Sequence, residues 1–251
     1  MQATLSTLFT PAQKERLTAA ARLRSSCRAY HGAPSTEDVA ALSYITGRYG
    51  LPGVRLVLTK VDEAFFTGTL LGMGRITGCT AAVAIIASAK EPLARLHAGI
   101  LSEAFVLEAT SRGLGTCWVS GTYRKKLLNI PLRTDEVVLC VIAVGVPAVP
   151  LTAPANRRRK PLDRICRGDI RLWPEQLTLA AELVQAAPSA MNMQPWTLYV
   201  GEEGAFVVDA SDRSQLDADI ALCHVELALT KPHTWHFGMD SNEPMAWAKV
   251  K

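Results

Sequence analysis

A short loop between two prolines carries side chains well suited to binding a small molecule. Residues 187–196 read APSAMNMQPW and lie between a helix-patterned segment and a strand-like one. Pro188 is expected to end the helix, and Pro195 favours an extended residue before it, because proline cannot continue a helix. Such a loop can present backbone N–H groups, the Ser189 hydroxyl and the Asn192 amide to a flat polar ligand. An ordinary helix-to-strand connection, in which the serine caps and the tryptophan packs, fits the same pattern.

A second group of candidate side chains lies near the amino terminus. Arg24 and Arg28 stand four residues apart, with Ser25 and Ser26 between them. Guanidinium groups form charge-assisted hydrogen bonds with phosphate, and hydroxyl groups can complete its coordination. The segment is therefore a candidate phosphate site, although pairs of arginines also occur as ordinary surface charge. Cys27, between the arginines, is either an activated thiol or a residue that fills space.

The loop also carries a family pattern. From Pro188 onward it follows Pro-Ser-x-x-Asn-x-Gln-Pro-Trp, which resembles the signature that FMN-dependent nitroreductases place against their flavin. Six fixed positions in a nine-residue stretch make coincidence a poor explanation. The resemblance implies that Pro188, Ser189 and Asn192 contact the isoalloxazine ring of FMN.

Three more segments resemble parts of the same family. Residues 24–30 resemble its Arg-Arg-Ser-x-Arg-x-Phe motif, with Ser25 and Tyr30 replacing an arginine and the phenylalanine, so one charged contact is lost. Residues 113–121 resemble the segment beside the ring, although a helix cap followed by a core strand fits them too. A basic run before Pro161 resembles one that reaches the flavin phosphate. The resemblance assigns to the phosphate Arg24, Ser25, Ser26, Arg28, Arg157 and Arg159, and to the ring edge Val119, Ser120 and Gly121.

The order of these motifs predicts the domain organisation. Nitroreductases are typically homodimers in which one subunit holds the flavin phosphate and the other covers the ring. Here the phosphate-type motif falls in residues 1–150 and the ring loop in residues 151–251, on either side of a proline-rich linker. The resemblance therefore implies a fused, monomeric pseudo-dimer with one FMN site. The expected fold is α+β, with two half-domains that each contain a mixed or antiparallel sheet flanked by helices.

Hydrophobic periodicity predicts the individual elements. Residue 113 is expected to be a left-handed glycine cap, residues 68–74 a flexible connection, and residues 231–251 have no interpretation beyond packing. Helices are predicted over residues 11–24, 36–47, 98–112, 123–129, 175–184 and 215–230. Strands are predicted over residues 54–60, 79–89, 116–121, 136–146, 197–200 and 205–209.

Composition excludes several classes of protein. The 251 residues are 49% hydrophobic and 20% charged, with a net charge of +4, which is typical of a globular protein. The one dense basic run, residues 157–160, is weak support for nucleic-acid binding. The six cysteines show no CxxC or Cys/His spacing. This pattern predicts a protein located in the reducing cytoplasm and without a metal site. The apolar run near residues 80–89 is too short to span a bilayer, and no export signal is expected.

The resemblance implies an oxidoreductase in which FMN carries the chemistry and no side chain acts as the catalyst. NAD(P)H would deliver a hydride to flavin N5, and a nitroaromatic, a quinone or a similar acceptor would then be reduced. A flavin-binding protein without turnover, which stores FMN or withholds it from a partner, requires the same residues. An enzyme of the same fold that removes halide or cleaves flavin would need a lid over its substrate, and the sequence identifies none.

Overall fold

The computed structural model describes residues 1–67, 75–154, 157–201, 204–210, 215–238 and 245–250. The chain forms two compact units. We call Leu23–Ala155 the central unit, and Met1–Arg22 together with Asn156–Lys251 the terminal unit. The predicted boundary at residue 150 lies close to the second change of unit, and the first 22 residues group with the terminal unit.

Helices and antiparallel sheets occur in both units. The helices are α1 (Pro11–Leu23), α2 (Thr36–Arg48), α3 (Ala94–Ser111), α4 (Leu162–Ile165), α5 (Glu175–Ala186) and α6 (Gln215–Ala228). The strands are β1 (Gln2–Ala3), β2 (Tyr30–Gly32), β3 (Val54–Lys60), β4 (Ala81–Ser88), β5 (Gly115–Val119), β6 (Glu136–Pro147), β7 (Trp196–Val200), β8 (Ala205–Ala210), β9 (Trp235–Phe237) and β10 (Ala246–Lys249). Within the described residues, no helix is both long and apolar enough to cross a membrane.

The central unit is built on a sheet with the order β2-β6-β4-β3, and β5 also pairs with β6. The first seven residues of β4 are all buried, as the uninterrupted apolar run predicts. Helix α3 contacts β3, β4 and β5 and is buried on nearly all sides. It ends at Ser111, and Gly113, with a φ of +79°, confirms the predicted left-handed cap.

The terminal unit contains a second antiparallel sheet with the order β1-β9-β10-β8-β7. Helices α5 and α6 pack against each other, and α6 also contacts β8. The C-terminal segment that lacked an interpretation therefore supplies two central strands, β9 and β10.

Pairing at the two chain ends explains why the first residues join the terminal unit. The N-terminal ammonium of Met1 donates to the carbonyl of Phe237 at 2.9 Å, and β1 pairs with β9. On α1, the Lys14 ammonium donates to the carbonyl of Leu229. No periodicity in the sequence reports such pairings, because they join residues more than 200 positions apart.

One predicted helix is absent. Residues 123–129 contain only a single 3-10 turn at Lys125–Leu127, not the predicted basic helix. The side chains of this turn are exposed, so no apolar face attaches it to the core. The flexible connection predicted for residues 68–74 lies outside the described residues.

An ion pair across the central sheet makes stability depend on pH. Arg55 donates from Nε and Nη2 to the two carboxylate oxygens of Glu136, each at 2.8 Å. The bonds from Arg55, together with one from the Arg133 N–H, lower the pKa of Glu136 from 4.5 to about 2. A lowered folded-state pKa contributes stability above pH 4.5 that disappears as the pH falls through 2.

We therefore expect Glu136→Gln to lower the free energy of unfolding at pH 7 by roughly 1–2 kcal/mol, and by progressively less at acidic pH. Urea denaturation of both proteins between pH 7 and pH 2 measures this difference. Glu182→Gln is the matched control, because its half-exposed carboxylate only approaches Arg22, at 3.9 Å. A difference that stays constant with pH would contradict the assigned pKa.

Candidate functional site

The loop after α5 has an unusual backbone. Three residues other than glycine have positive φ angles, namely Met191 (49°), Asn192 (59°) and Gln194 (47°). L-residues adopt this region at an energetic cost, so the surrounding bonds must stabilise it. Strained backbone of this kind clusters at ligand sites, which agrees with a functional loop.

Hydrogen bonds around Gln194 hold the loop from inside. Its backbone N–H donates to the Ser189 hydroxyl at 2.9 Å, and its side-chain carbonyl accepts from the Lys160 N–H at 2.8 Å. The Lys160 ammonium donates in turn to the Gln194 carbonyl at 3.0 Å. Gln194 is 3% exposed, so its end of each of these bonds is buried. The Ser189 hydroxyl thus bridges across the loop instead of capping a helix.

An acidic residue that the sequence analysis missed secures the start of the loop. The Ala190 N–H lies 3.0 Å from each carboxylate oxygen of Asp217, in the first turn of α6. The predicted helix over residues 215–230 places an acid there, but its loop partner lies 27 positions away. Burial, and then the charge of Asp217, raise the pKa of Asp219 well above its usual value.

The predicted phosphate arginines of the terminal unit bind the loop and the end of α5. Arg157 donates to the carbonyls of Ala186 and Arg22, both at 3.0 Å. Arg159 donates to Ala186 at 3.3 Å and to the Asn192 amide oxygen. Cationic groups suit the carbonyl end of a helix, where the helix dipole is negative. These contacts show both arginines holding the end of α5 and Arg159 also holding the loop, while their role toward a phosphate stays a prediction.

In the central unit, the segment from Arg24 to Arg28 runs beside β5. Ser26 forms a parallel bridge with Thr116, and the Cys27 N–H donates to the Thr116 carbonyl at 2.8 Å. A side chain at Gly115 would place its Cβ 2.6 Å from the Cys27 sulfur, so the close approach requires glycine there.

The two arginines of this segment differ in their surroundings. Arg24 is 4% exposed, and burial lowers its pKa although the nearby Glu103 favours the charged form. Arg28 is exposed, and its guanidinium forms no hydrogen bond or ion pair with any residue that the structure describes. Ser26 is exposed and Ser25 is half-buried. Arg28 is therefore the cation of this segment that an anion from solvent can reach.

The cysteine between the arginines is not activated. Burial raises the pKa of the Cys27 thiol, and this effect outweighs the opposing influence of its hydrogen bonds and of Arg28. A thiol with a raised pKa is a poor nucleophile at neutral pH. Of the two interpretations of Cys27, the structure supports the residue that fills space.

The predicted ring-edge residues lie where β5 ends. Val119 is 4% exposed, whereas Ser120 and Gly121 are exposed. A Cβ at Gly121 would meet nothing within 4 Å, so packing does not require glycine there. The contact of these three residues with a flavin remains a prediction.

Comparison with known families identifies the chain. A family model described as "Putative TM nitroreductase" matches residues 16–229. The chain belongs to this nitroreductase family. The match includes the segment with Arg28 and the loop with Asn192, so the resemblance predicted from the sequence is confirmed.

Solved structures support the fold. A protein from Thermotoga maritima, described as a putative nitroreductase, is 20% identical, with 93% of each chain covered and a TM-score of 0.65. This similarity confirms the nitroreductase-like α+β fold. A nitroreductase family protein from Clostridium difficile 630 is 17% identical, with 59% of this chain and 95% of that chain covered and a TM-score of 0.47.

A nitroreductase from Desulfitobacterium hafniense, solved with bound FMN, is 18% identical to this chain. The match covers 55% of this chain and 94% of that chain, with a TM-score of 0.41. No curated protein matches the sequence.

Proposed function

We propose that this nitroreductase family member binds FMN and transfers a hydride from NAD(P)H, through flavin N5, to a nitroaromatic, a quinone or a similar acceptor. The main support is the strained loop of residues 187–196, whose family-specific polar side chains are held in place by hydrogen bonds to Gln194, Arg158 and Arg159. When bound, FMN would supply the redox chemistry, and the protein would supply binding, orientation and exclusion of water.

The loop has hydrogen-bonding capacity left for a flat heterocycle. The Asn192 amide donates one N–H to the Arg158 carbonyl at 2.9 Å and accepts from Arg159, so a second N–H and a second lone pair remain. The Ser189 hydroxyl accepts from Gln194 and can still donate its proton. We propose that both groups bind the flavin ring, with buried Pro188 shaping the loop beneath them.

The central unit fits the phosphate of FMN. Arg28 is an exposed cation without an internal partner among the described residues, and the Ser26 hydroxyl is exposed two positions earlier. A guanidinium and a hydroxyl are the donor types that phosphate recognition uses. We propose that Arg28 and Ser26 bind the phosphate and that buried Arg24 supports them. Because one polypeptide carries both sets of residues, we also propose that the chain acts as a monomer.

Arg28→Ala is expected to weaken FMN binding roughly 10- to 100-fold, because it removes a charge-assisted hydrogen bond. Quenching of flavin fluorescence during titration measures the dissociation constant. Arg95→Ala is the matched control, since Arg95 is an exposed arginine of the same unit outside the candidate site. Equal affinities for the two variants would remove Arg28 from the phosphate site.

The purified protein with FMN can also be assayed for catalytic oxidation of NAD(P)H. We expect purified protein with FMN to oxidise NADH or NADPH when menadione or nitrofurazone is present. A protein that binds FMN tightly but oxidises neither nicotinamide would instead be a flavin-storing protein. A protein that stays colourless in excess FMN would contradict the proposed function itself.

A further inference from the structure

Two methionines project from the loop into solvent. Met191 is 63% exposed and Met193 is 60% exposed, and they flank Asn192. Isolated apolar side chains are common on protein surfaces. Here, however, two large ones occur within three residues, on a loop that Gln194 and Asp217 hold from inside. Neither methionine contributes to the buried core of the described residues.

The backbone does not explain this choice of residue. Met191 has φ and ψ angles of 49° and 19°, a left-handed conformation. Glycine or asparagine adopts that conformation more readily, so local geometry disfavours methionine at this position. Core packing does not favour it either, because the side chain is mostly exposed. Neither the local backbone nor the core therefore accounts for methionine at this position.

We propose that Met191 and Met193 form the contact surface for an apolar aromatic electron acceptor and set the preference for such acceptors over hydrophilic ones. This inference rests on the proposed function. Consecutive Cα atoms lie about 3.8 Å apart, so both methionines adjoin Asn192, which we propose contacts the flavin ring. The polarisable, flexible thioether packs well against aromatic rings of different shapes. Two such side chains pack better against a planar aromatic acceptor than against a hydrophilic anion such as ferricyanide.

The test uses a variant that removes the apolar contact of both methionines but keeps the length of their side chains. In the double variant M191Q/M193Q, the kcat/KM ratio for menadione over ferricyanide is expected to fall about tenfold. The variant M191L/M193L keeps apolar side chains and should retain most of the ratio. Leu172→Gln is the matched control, because Leu172 is an 83% exposed apolar residue of the same unit outside the loop, and it should leave the ratio unchanged.

A second readout does not depend on turnover. In spectra of protein labelled with 13C at the methionine methyl groups, menadione should shift the signals of Met191 and Met193 and leave that of Met1 in place. An unchanged ratio in M191Q/M193Q, an equal loss in M191L/M193L, or unshifted loop methionine signals would overturn the inference. Failure of the proposed function looks different, because the wild-type protein would then bind no FMN or oxidise no NAD(P)H with either acceptor.

Discussion

Replacing His233 with leucine is expected to lower the free energy of unfolding by about 3–5 kcal/mol, because the change leaves a buried carboxylate without its charged partner. His233 Nε2 lies 2.7 Å from Glu226 Oε1, and both side chains are fully buried. Trp235 Nε1 donates to the same oxygen at 2.5 Å, and His233 Nδ1 lies 2.8 Å from the Lys231 carbonyl. Only the tryptophan bond to Glu226 would survive.

The loss should depend on pH. Burial lowers the pKa of His233, but the Glu226 carboxylate and the Lys231 carbonyl outweigh that effect, so the pKa lies above 6.5. A raised folded-state pKa contributes stability that is complete below pH 6.5 and declines as the pH rises through the folded-state pKa. The difference between wild type and variant should therefore shrink in alkaline solution.

Urea denaturation at several pH values measures this effect. His236→Leu is the matched control, because His236 is only partly buried and stacks on Trp247. Adding E226Q to H233L should recover part of the loss, since it removes the unpaired charge and keeps an acceptor for Trp235. Wild-type stability in H233L, or no recovery in the double variant, would argue against a charged pair.

Gly78→Ala should destabilise the central unit by about 2–4 kcal/mol. Gly78 has a φ of +69°, and a Cβ there would lie 2.1 Å from the Tyr30 carbonyl oxygen. That oxygen belongs to the backbone, so no flexible side chain can move away. The preceding residue, Thr77, donates to the Arg28 carbonyl at 2.9 Å and accepts from the Tyr30 N–H at 3.0 Å. The displacement should thus also weaken FMN binding through Arg28.

Substitutions at two other glycines distinguish the strain of a positive φ from the steric clash of the added Cβ. Gly113 also has a positive φ, +79°, but a Cβ there would have nothing within 4 Å. Gly113→Ala should therefore lower the free energy of unfolding by only about 1 kcal/mol. Gly121→Ala has neither strain nor crowding and should be nearly neutral. Denaturation curves for the three variants, with FMN titration of those that fold, test this order. Similar losses for Gly78→Ala and Gly113→Ala would exclude the backbone clash as the main cause.

The sequence by itself located most elements, because apolar periodicity and proline or glycine punctuation report local conformation. The uninterrupted apolar run of β4 and the glycine cap after α3 are two such cases. The family and its α+β fold followed from the resemblance of the sequence motifs. The loop motif depends on the same kind of information, since its fixed residues are neighbours in the chain. The helix predicted over residues 123–129 failed because the basic residues at its centre are exposed, so packing does not stabilise more than the 3-10 turn there.

Only the tertiary structure decided which partners these side chains have. It separated buried Arg24 from exposed Arg28, although the sequence presents them as an equivalent pair. It also turned Arg157 toward the carbonyl end of α5 and brought Asp217 to the loop. Such contacts join residues far apart in sequence, and they form because an unpaired buried polar group costs free energy. Local patterns carry no record of which distant group meets that requirement.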